Sequence, residues 1–200
     1  MSGILAQNLN RQSGLIKAPE GGGAWTFISK VTASADSTVS FTSGIDSTYT
    51  QYIFYFVNIH PEEASKFLTF QGSTDGGSSY GVTLTSSFFR AQVQEDGSNS
   101  GLAYDTSMDL ANSTSFNNMG RPILDDADAC LSGSLRIFDP SSTTFIKHFM
   151  YRVSVMGNYL QDAYGAGYFN TTSAVDAMQF KMSSGNIDAG SIFLHGLSTS

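Results

Sequence analysis

The sequence is poor in charged residues, cysteine and proline. Aspartate, glutamate, lysine and arginine make up 14% of its 200 residues, whereas about 25% is usual for a soluble domain. This shortage excludes a long charged helix or a coiled coil. The chain contains 15 phenylalanines and 9 tyrosines, and such rings need a hydrophobic core, so a disordered chain is excluded as well. Its polarity comes mainly from 30 serines and 17 threonines.

Basic residues are few and scattered. Ten lysines and arginines stand against seventeen aspartates and glutamates, which gives a formal net charge of −7. Binding to nucleic acid or to an anionic membrane depends on clustered basic side chains. We therefore expect neither partner. The longest apolar run, at 52–57, is too short for a transmembrane helix, and the first residues lack the pattern of a secretory signal.

Cysteine and histidine do not indicate a catalytic or metal site. Cys130 is the single cysteine, so an internal disulfide is excluded, and its apolar neighbours predict a small buried core residue. His60, His148 and His195 show no paired metal-ligand spacing. We expect His148 and His195, which each interrupt an apolar strand, to be core or half-buried residues, and we expect His60, which precedes Pro61, to end a strand.

Acidic residues offer two weak candidates for an ion site. The first is Asp75, which precedes two glycines, and the second is the cluster Asp125–Asp128. A hairpin turn explains the first equally well. For the second we expect a solvated acidic loop, because no tight-turn glycine lies within the cluster and no bidentate glutamate follows it. No nucleophile elbow or phosphate-binding loop is present. We predict no enzyme activity, no cofactor and no metal.

The first 23 residues differ in pattern from the remainder. Residues 1–18 carry sparse apolar positions, and a glycine-rich joint follows at 19–23. Because such an arm has too little apolar surface to fold alone, we expect it to lie on a neighbouring protein. The apolar residues expected to contact that partner are Ile4, Leu5, Leu9, Leu15 and Ile16.

From residue 24 onward the hydrophobic period changes to two, which is typical of β-strands. The segment at 51–59 is apolar on both faces and predicts a central strand. Eight to ten such runs, separated by turn signals, predict an all-β domain over 24–200, an antiparallel β-sandwich of the jelly-roll type. A barrel is the alternative architecture. Residues 98–128 show no clear period, so we expect a long functional loop with a short helix near 108–111.

Aromatic residues surround the glycine-rich run Gly165-Ala166-Gly167, where a turn is predicted. Aromatic rings on exposed loops bind sugars or anchor interfaces, and capping of the core is the alternative. The candidate residues are Tyr159, Tyr164, Tyr168 and Phe169.

Four segments resemble small structural proteins from the virions of tailed, notably marine, bacteriophages. They are NLNRQSGLIK at 8–17, YFVNIHP at 55–61, GSTDGGSSY at 72–80 and SGNIDAGSIFLHGL at 184–197. The resemblance implies a jelly-roll-like virion module without catalysis, often trimeric, assembled in the bacterial cytoplasm. It leaves open a position on the head, the tail or a fibre.

We therefore expect a virion structural protein that decorates or cements a capsid, as a homotrimer in contact with the major capsid protein or other virion proteins. The alternative is a tail fibre or receptor-binding module that binds host surface glycans. A polysaccharide-degrading enzyme and a cellular carbohydrate-binding module are weaker alternatives. A degrading enzyme would need two carboxylates about 5–10 Å apart in a cleft.

Overall fold

The computed structural model describes residues 24–157 and 159–197. The arm residues Ile4, Leu5, Leu9, Leu15 and Ile16 lie outside this range. The described chain forms antiparallel strands, which confirms the all-β prediction, and they number thirteen instead of eight to ten. The strands are β1 (Trp25–Asp36), β2 (Val39–Phe41), β3 (Gln51–Pro61), β4 (Lys66–Ser73), β5 (Leu84–Val93), β6 (Ser100–Tyr104), β7 (Leu110–Ser113), β8 (Asn117–Ile123), β9 (Leu131–Phe138), β10 (Lys147–Met156), β11 (Leu160–Phe169), β12 (Ala177–Met182) and β13 (Ile187–Leu197).

The strands are arranged in two sheets. The large sheet has the order β1-β13-β3-β9-β10-β11-β5-β6, and β7 also pairs with β5. The small sheet has the order β2-β12-β4-β8. Eight strands pair as a folded ribbon, β1 with β13, β2 with β12, β3 with β9 and β4 with β8. Successive pairs of this ribbon alternate between the large and the small sheet.

The remaining strands enlarge one sheet only. The segment between β4 and β8 supplies β5, β6 and β7, and the segment between β9 and β12 supplies β10 and β11. All five extend the large sheet beyond β9. The large sheet therefore presents a broad outer face, on the side opposite the small sheet.

The core between the sheets is dense in phenylalanine. Phe180 of β12 packs edge-on against Phe54 and Phe56 of β3, with ring centroids 5.1 and 5.2 Å apart. Phe70 of β4 packs in the same manner against Phe149 of β10, at 5.1 Å. All five rings are buried. Because burying one such side chain contributes about 1.5–3 kcal/mol, these contacts account for the association of the sheets.

The predicted loop at 98–128 is wrong. This stretch contains β6, β7 and β8, and β7 occupies the place of the predicted helix. β6 and β7 border the free edge of β5, and their side chains are mostly exposed. An edge strand without a buried face has no need for alternating apolar residues, which is why the sequence shows no period there.

The predicted turn at Gly165-Ala166-Gly167 is also wrong, since these residues lie inside β11. The glycines are required by packing. Gly165 lies beneath the ring of Tyr151, and Gly167 lies beneath the ring of Phe149. A side chain at either position would collide with these core rings.

The prediction of Cys130 as a buried core residue is wrong. It is half-buried and outside the core cluster. Its sulfur lies 4.0 Å from Oδ1 of Asn58.

Candidate functional site

The outer face of the large sheet carries a row of large side chains that crosses the sheet. The cross-strand register places Tyr55 beside Ser134, Ser134 beside Arg152, and Arg152 beside Tyr164. The row ends with Phe89 of β5 and Tyr104 of β6. One face of an antiparallel sheet commonly faces water, and four of the six residues in this row are aromatic.

A groove interrupts this row above β9 and β10. Its volume is about 560 Å³, within the usual range for small-ligand sites. Small residues from β9 and β10 form the floor, and larger residues from β3, β10 and β11 line its sides. The lining residues are Tyr55, Ser132, Gly133, Ser134, Arg152, Ser154, Leu160 and Asp162.

An ion pair forms one wall of the groove. Nε of Arg152 donates to Oδ1 of Asp162 at 2.8 Å, and Nη2 donates to Oδ2 at 2.6 Å. The Tyr164 hydroxyl also donates to Oδ2, at 2.9 Å. These hydrogen bonds, that from Arg152 first, lower the pKa of Asp162. The pKa of Tyr164 is raised, because its hydroxyl is bonded to the carboxylate.

Tyr164 is held between two other planar groups. The Arg152 guanidinium lies over its ring, 4.8 Å from the centroid. The Phe89 ring is stacked parallel to it, with centroids 4.9 Å apart and 1° between the planes. Since β11 lies between β10 and β5, Arg152 and Phe89 flank Tyr164. This stack fixes the wall of the groove before any ligand arrives.

The four predicted aromatic residues do not form one site. Tyr164 and Tyr168 share the outer face, but they are four residues apart on β11, about 14 Å along the strand. Tyr168 packs against His148, with ring centroids 6.0 Å apart. His148 itself is exposed, which differs from the predicted partial burial.

The other two aromatic candidates lie elsewhere. Tyr159 lines a small cavity of about 180 Å³ at the turn between β10 and β11, together with Arg121 and Gln161. Phe169 is completely buried and packs against Phe149 in the core, with centroids 5.3 Å apart. Phe169 therefore belongs to no surface, and its prediction as an interface residue is corrected. Its position alternates with that of Tyr168 along the strand, which turns the two rings to opposite faces.

The first acidic candidate, Asp75, organises its own turn. Its carboxylate accepts hydrogen bonds from the hydroxyls of Ser73 and Ser79 and from the Ser79 backbone N–H. These bonds lower the pKa of Asp75 to about 2. Through these hydrogen bonds, the Asp75 carboxylate itself shapes the β4–β5 connection.

The second acidic candidate borders an open cleft of about 630 Å³ that contains Asp125, Asp128, Asp188 and His60. His60 is tied to this wall, since Nδ1 lies 3.4 Å from Oδ2 of Asp188, and Nε2 lies 3.1 Å from the Asp126 carbonyl oxygen. Over residues 24–157 and 159–197, no three histidine, cysteine or acidic side chains are arranged to hold a metal ion. In the same ranges, no helix has the length and apolar character to span a membrane.

A second surface feature lies where the large sheet ends. We call it the end patch, and it consists of Phe89, Val93, Leu102, Tyr104 and Leu160. The register brings Leu160 beside Val93 and Phe89 beside Tyr104 on the outer face. Exposure reaches 75% at Leu102 and 60% at Tyr104. A contiguous exposed apolar patch of this kind typically marks an interaction site.

Sequence reasoning identified Tyr164 but missed Tyr55, Arg152 and Asp162. Tyr55 lies in a segment interpreted as buried on both faces, although its side chain is only half-buried. Arg152 and Asp162 carried the one available signal, because both interrupt apolar strands with opposite charges. Their pairing depends on the register between β10 and β11. The sequence does not predict this register, because it places a turn at Gly165-Ala166-Gly167, inside β11.

In comparisons with known proteins, no family model and no curated protein matches this chain.

Proposed function

We propose that this chain is a structural protein of a bacteriophage particle, which decorates or cements the capsid through contacts between protein surfaces. The observation that carries the proposal is the end patch. Its apolar side chains lose contact with water only when another protein covers them, and burial of such surface drives association. The partners in this proposal are further copies of the chain, as a homotrimer, and the major capsid protein.

The strand order supports the proposal. A ribbon whose successive pairs alternate between two sheets is the connectivity of a jelly roll, and we assign the eight-stranded ribbon to that class. Jelly rolls occur in viral capsid proteins, and two packed sheets leave their outer faces free for contacts with other subunits. The added strands β5, β6, β10 and β11 enlarge one outer face, and three of them, β5, β6 and β11, carry the whole end patch.

The arm is the second contact in this proposal. Residues 1–23 precede β1, which is an edge strand of the large sheet. A chain of that length spans up to about 75 Å when extended, so it reaches a neighbouring subunit. In this proposal, the apolar residues of the arm are buried against that neighbouring subunit.

Immunogold electron microscopy of purified particles tests the location. An antibody raised against the chain is expected to label the head shell densely. Labelling confined to the tail would overturn the capsid assignment, and unlabelled particles that lack the chain by mass spectrometry would overturn the virion function. Deleting residues 1–18 is expected to reduce incorporation into particles. Full incorporation of the shortened chain would remove the arm from the mechanism.

A second candidate function is the binding of host surface glycans, as part of a tail fibre or receptor-binding module. One observation favours it, the groove beside Tyr164, whose lining combines hydroxyl groups, an ion pair and the aromatic ring of Tyr55 on an exposed face. Glycan-array binding by the full chain tests this function. Binding to no glycan would reject it without affecting the structural proposal.

A further inference from the structure

We propose that the outer-face groove between Tyr55 and the Arg152–Asp162 pair binds a neutral saccharide. The inference rests on the second candidate function above and specifies its site and ligand class. It replaces Tyr168 and Phe169 as binding residues, and it gives Tyr164 a supporting role.

The width of the groove suits a sugar ring. Tyr55 projects from β3 and Arg152 from β10, and β9 lies between them. Neighbouring strands are about 4.8 Å apart, so the two walls rise about 10 Å from each other. A single pyranose ring, a puckered chair that stands edge-on between the walls, fits in that space, whereas a folded helix does not.

The floor of the groove is hydrophilic. Ser132, Ser134 and Ser154 present hydroxyl groups, each of which both donates and accepts. The Ser132 hydroxyl is held by Asn58, whose backbone N–H donates to it at 3.0 Å. An apolar protein partner would cover the Ser134 and Ser154 hydroxyls without giving them hydrogen bonds, at a cost in free energy. A polyhydroxyl ligand satisfies them.

The ion pair retains hydrogen-bonding capacity. A guanidinium has five N–H donors, and Arg152 uses two of them on Asp162. A carboxylate accepts about four bonds, and Asp162 accepts three. Donors and an acceptor thus remain side by side. Adjacent hydroxyls of a sugar, each a donor and an acceptor, match that arrangement.

The charge balance selects a neutral ligand. Asp162 already neutralises the guanidinium of Arg152 in a two-point pair, and the chain as a whole carries −7. Arg152 is the one cation among the residues that line the groove, and it is already paired, so an acidic sugar or a phosphate would find no unpaired cation in the lining. The ring of Tyr55 supplies the apolar surface that the C–H face of a sugar covers.

Tyr164 acts as a positioning residue. Both of its ring faces are flanked, by Arg152 and by Phe89, so its ring is not free to stack on a sugar. Instead its hydroxyl and ring hold the ion pair in place. A preorganised wall avoids the entropy loss of ordering side chains on binding.

The experiment measures binding of methyl glycosides of glucose, galactose, mannose and N-acetylglucosamine, and of their trisaccharides, to the full chain, with methyl glucuronide as the acidic comparison. Saturation-transfer NMR detects binding, and calorimetry measures its affinity. The blocking variant is Ser154→Phe. Ser154 is exposed on the groove floor, so a phenylalanine ring at this position would fill the groove, and the substitution removes no side chain that packs in the core. The matched control is Ser87→Phe, an exposed serine on the same face of β5 outside the groove.

At least one neutral saccharide is expected to bind, with affinity reduced at least tenfold in Ser154→Phe and unchanged in Ser87→Phe. Equal affinity in the chain and in Ser154→Phe would overturn this site while leaving glycan binding intact. Binding to no saccharide would overturn both the site and the glycan function. Binding to acidic saccharides alone would overturn the ligand class. A change of sedimentation in Ser154→Phe without saccharide binding would identify the groove as a protein contact and reject the proposal.

Discussion

The α-carbon of Gly165 lies directly beneath the aromatic ring of Tyr151 on the neighbouring strand. The two residues are paired across β10 and β11, and a β-carbon at position 165 would overlap the ring. Tyr151 is buried, and its hydroxyl donates to the Asn118 carbonyl oxygen at 3.0 Å. The missing side chain of Gly165 therefore makes room for a core residue that links the large sheet to β8.

Replacing Gly165 with alanine is expected to destabilise the fold. The added methyl group displaces the Tyr151 ring, and overpacking of a core typically costs about 1–3 kcal/mol. The free energy of unfolding, from urea denaturation at a fixed protein concentration, measures the effect. Gly101→Ala in the exposed strand β6 is the matched control, since no atom lies within 4 Å of its added β-carbon. Equal stability of the two variants would contradict the packing role of Gly165.

The same glycine shows where sequence reasoning fails. The local sequence predicts a turn at Gly165 and Gly167, because glycine commonly permits tight turns. Here glycine serves a close approach between strands, and that requirement is set by Tyr151 and Phe149 on another strand. Nothing in the local sequence distinguishes the two uses of glycine.

Strands with one buried face were predictable from their own residues. β3 contains a run of apolar residues, and in β12 apolar residues alternate with Gln179 and Lys181, because each strand packs against the core. β6 and β7 were not predictable, because they are held by the edge of β5 and bury little. The candidate site shares this difficulty. Tyr55 and Arg152 come to lie on either side of β9 only after strands distant in sequence have paired.

Asn117 is expected to be essential for holding β8 and β7 against β5. It is fully buried, its Oδ1 accepts from the Ser86 hydroxyl at 2.6 Å, and its Nδ2 donates to the Asn118 carbonyl oxygen at 2.9 Å. The Ser86 oxygen in turn accepts from the Leu110 backbone N–H at 3.2 Å. Asn117→Ala is expected to lower the free energy of unfolding by about 1–3 kcal/mol, because it leaves the buried Ser86 hydroxyl and the Asn118 carbonyl oxygen without their hydrogen-bond partner. Exposed Asn99→Ala serves as the control, and a similar result for both would refute the role of this network.

Asp75 is expected to make the stability of the fold depend on pH in the acidic range. Its pKa is lowered to about 2 by hydrogen bonds from the Ser73 and Ser79 hydroxyls, whereas an aspartate in an unfolded chain has a pKa of about 3.9. The folded state therefore binds this proton less readily than the unfolded state. The stabilisation is present above pH 4 and is lost as the pH falls from about 4 to about 2.

The Asp75→Asn variant isolates this contribution. The melting temperature of the unaltered chain is expected to exceed that of the variant at pH 5–7, and the difference is expected to shrink toward pH 2. Circular dichroism melts across that range measure it. A difference that stays constant from pH 7 to pH 2 would show that the Asp75 carboxylate has no special role.

The end patch is expected to mediate self-association. Leu102→Lys places a charge at its most exposed apolar position, 75% exposed in the single chain. Burying a leucine contributes about 1.5–3 kcal/mol, and each 1.4 kcal/mol corresponds to a factor of about ten in the dissociation constant. Sedimentation velocity over a range of concentrations is therefore expected to show association weakened at least tenfold.

Phe145→Lys is the matched control, because Phe145 is 70% exposed but lies in the β9–β10 connection, outside the patch. Equal loss in both variants would point to a general effect of charge. Undiminished association in Leu102→Lys would move the subunit contact to another surface of the sandwich.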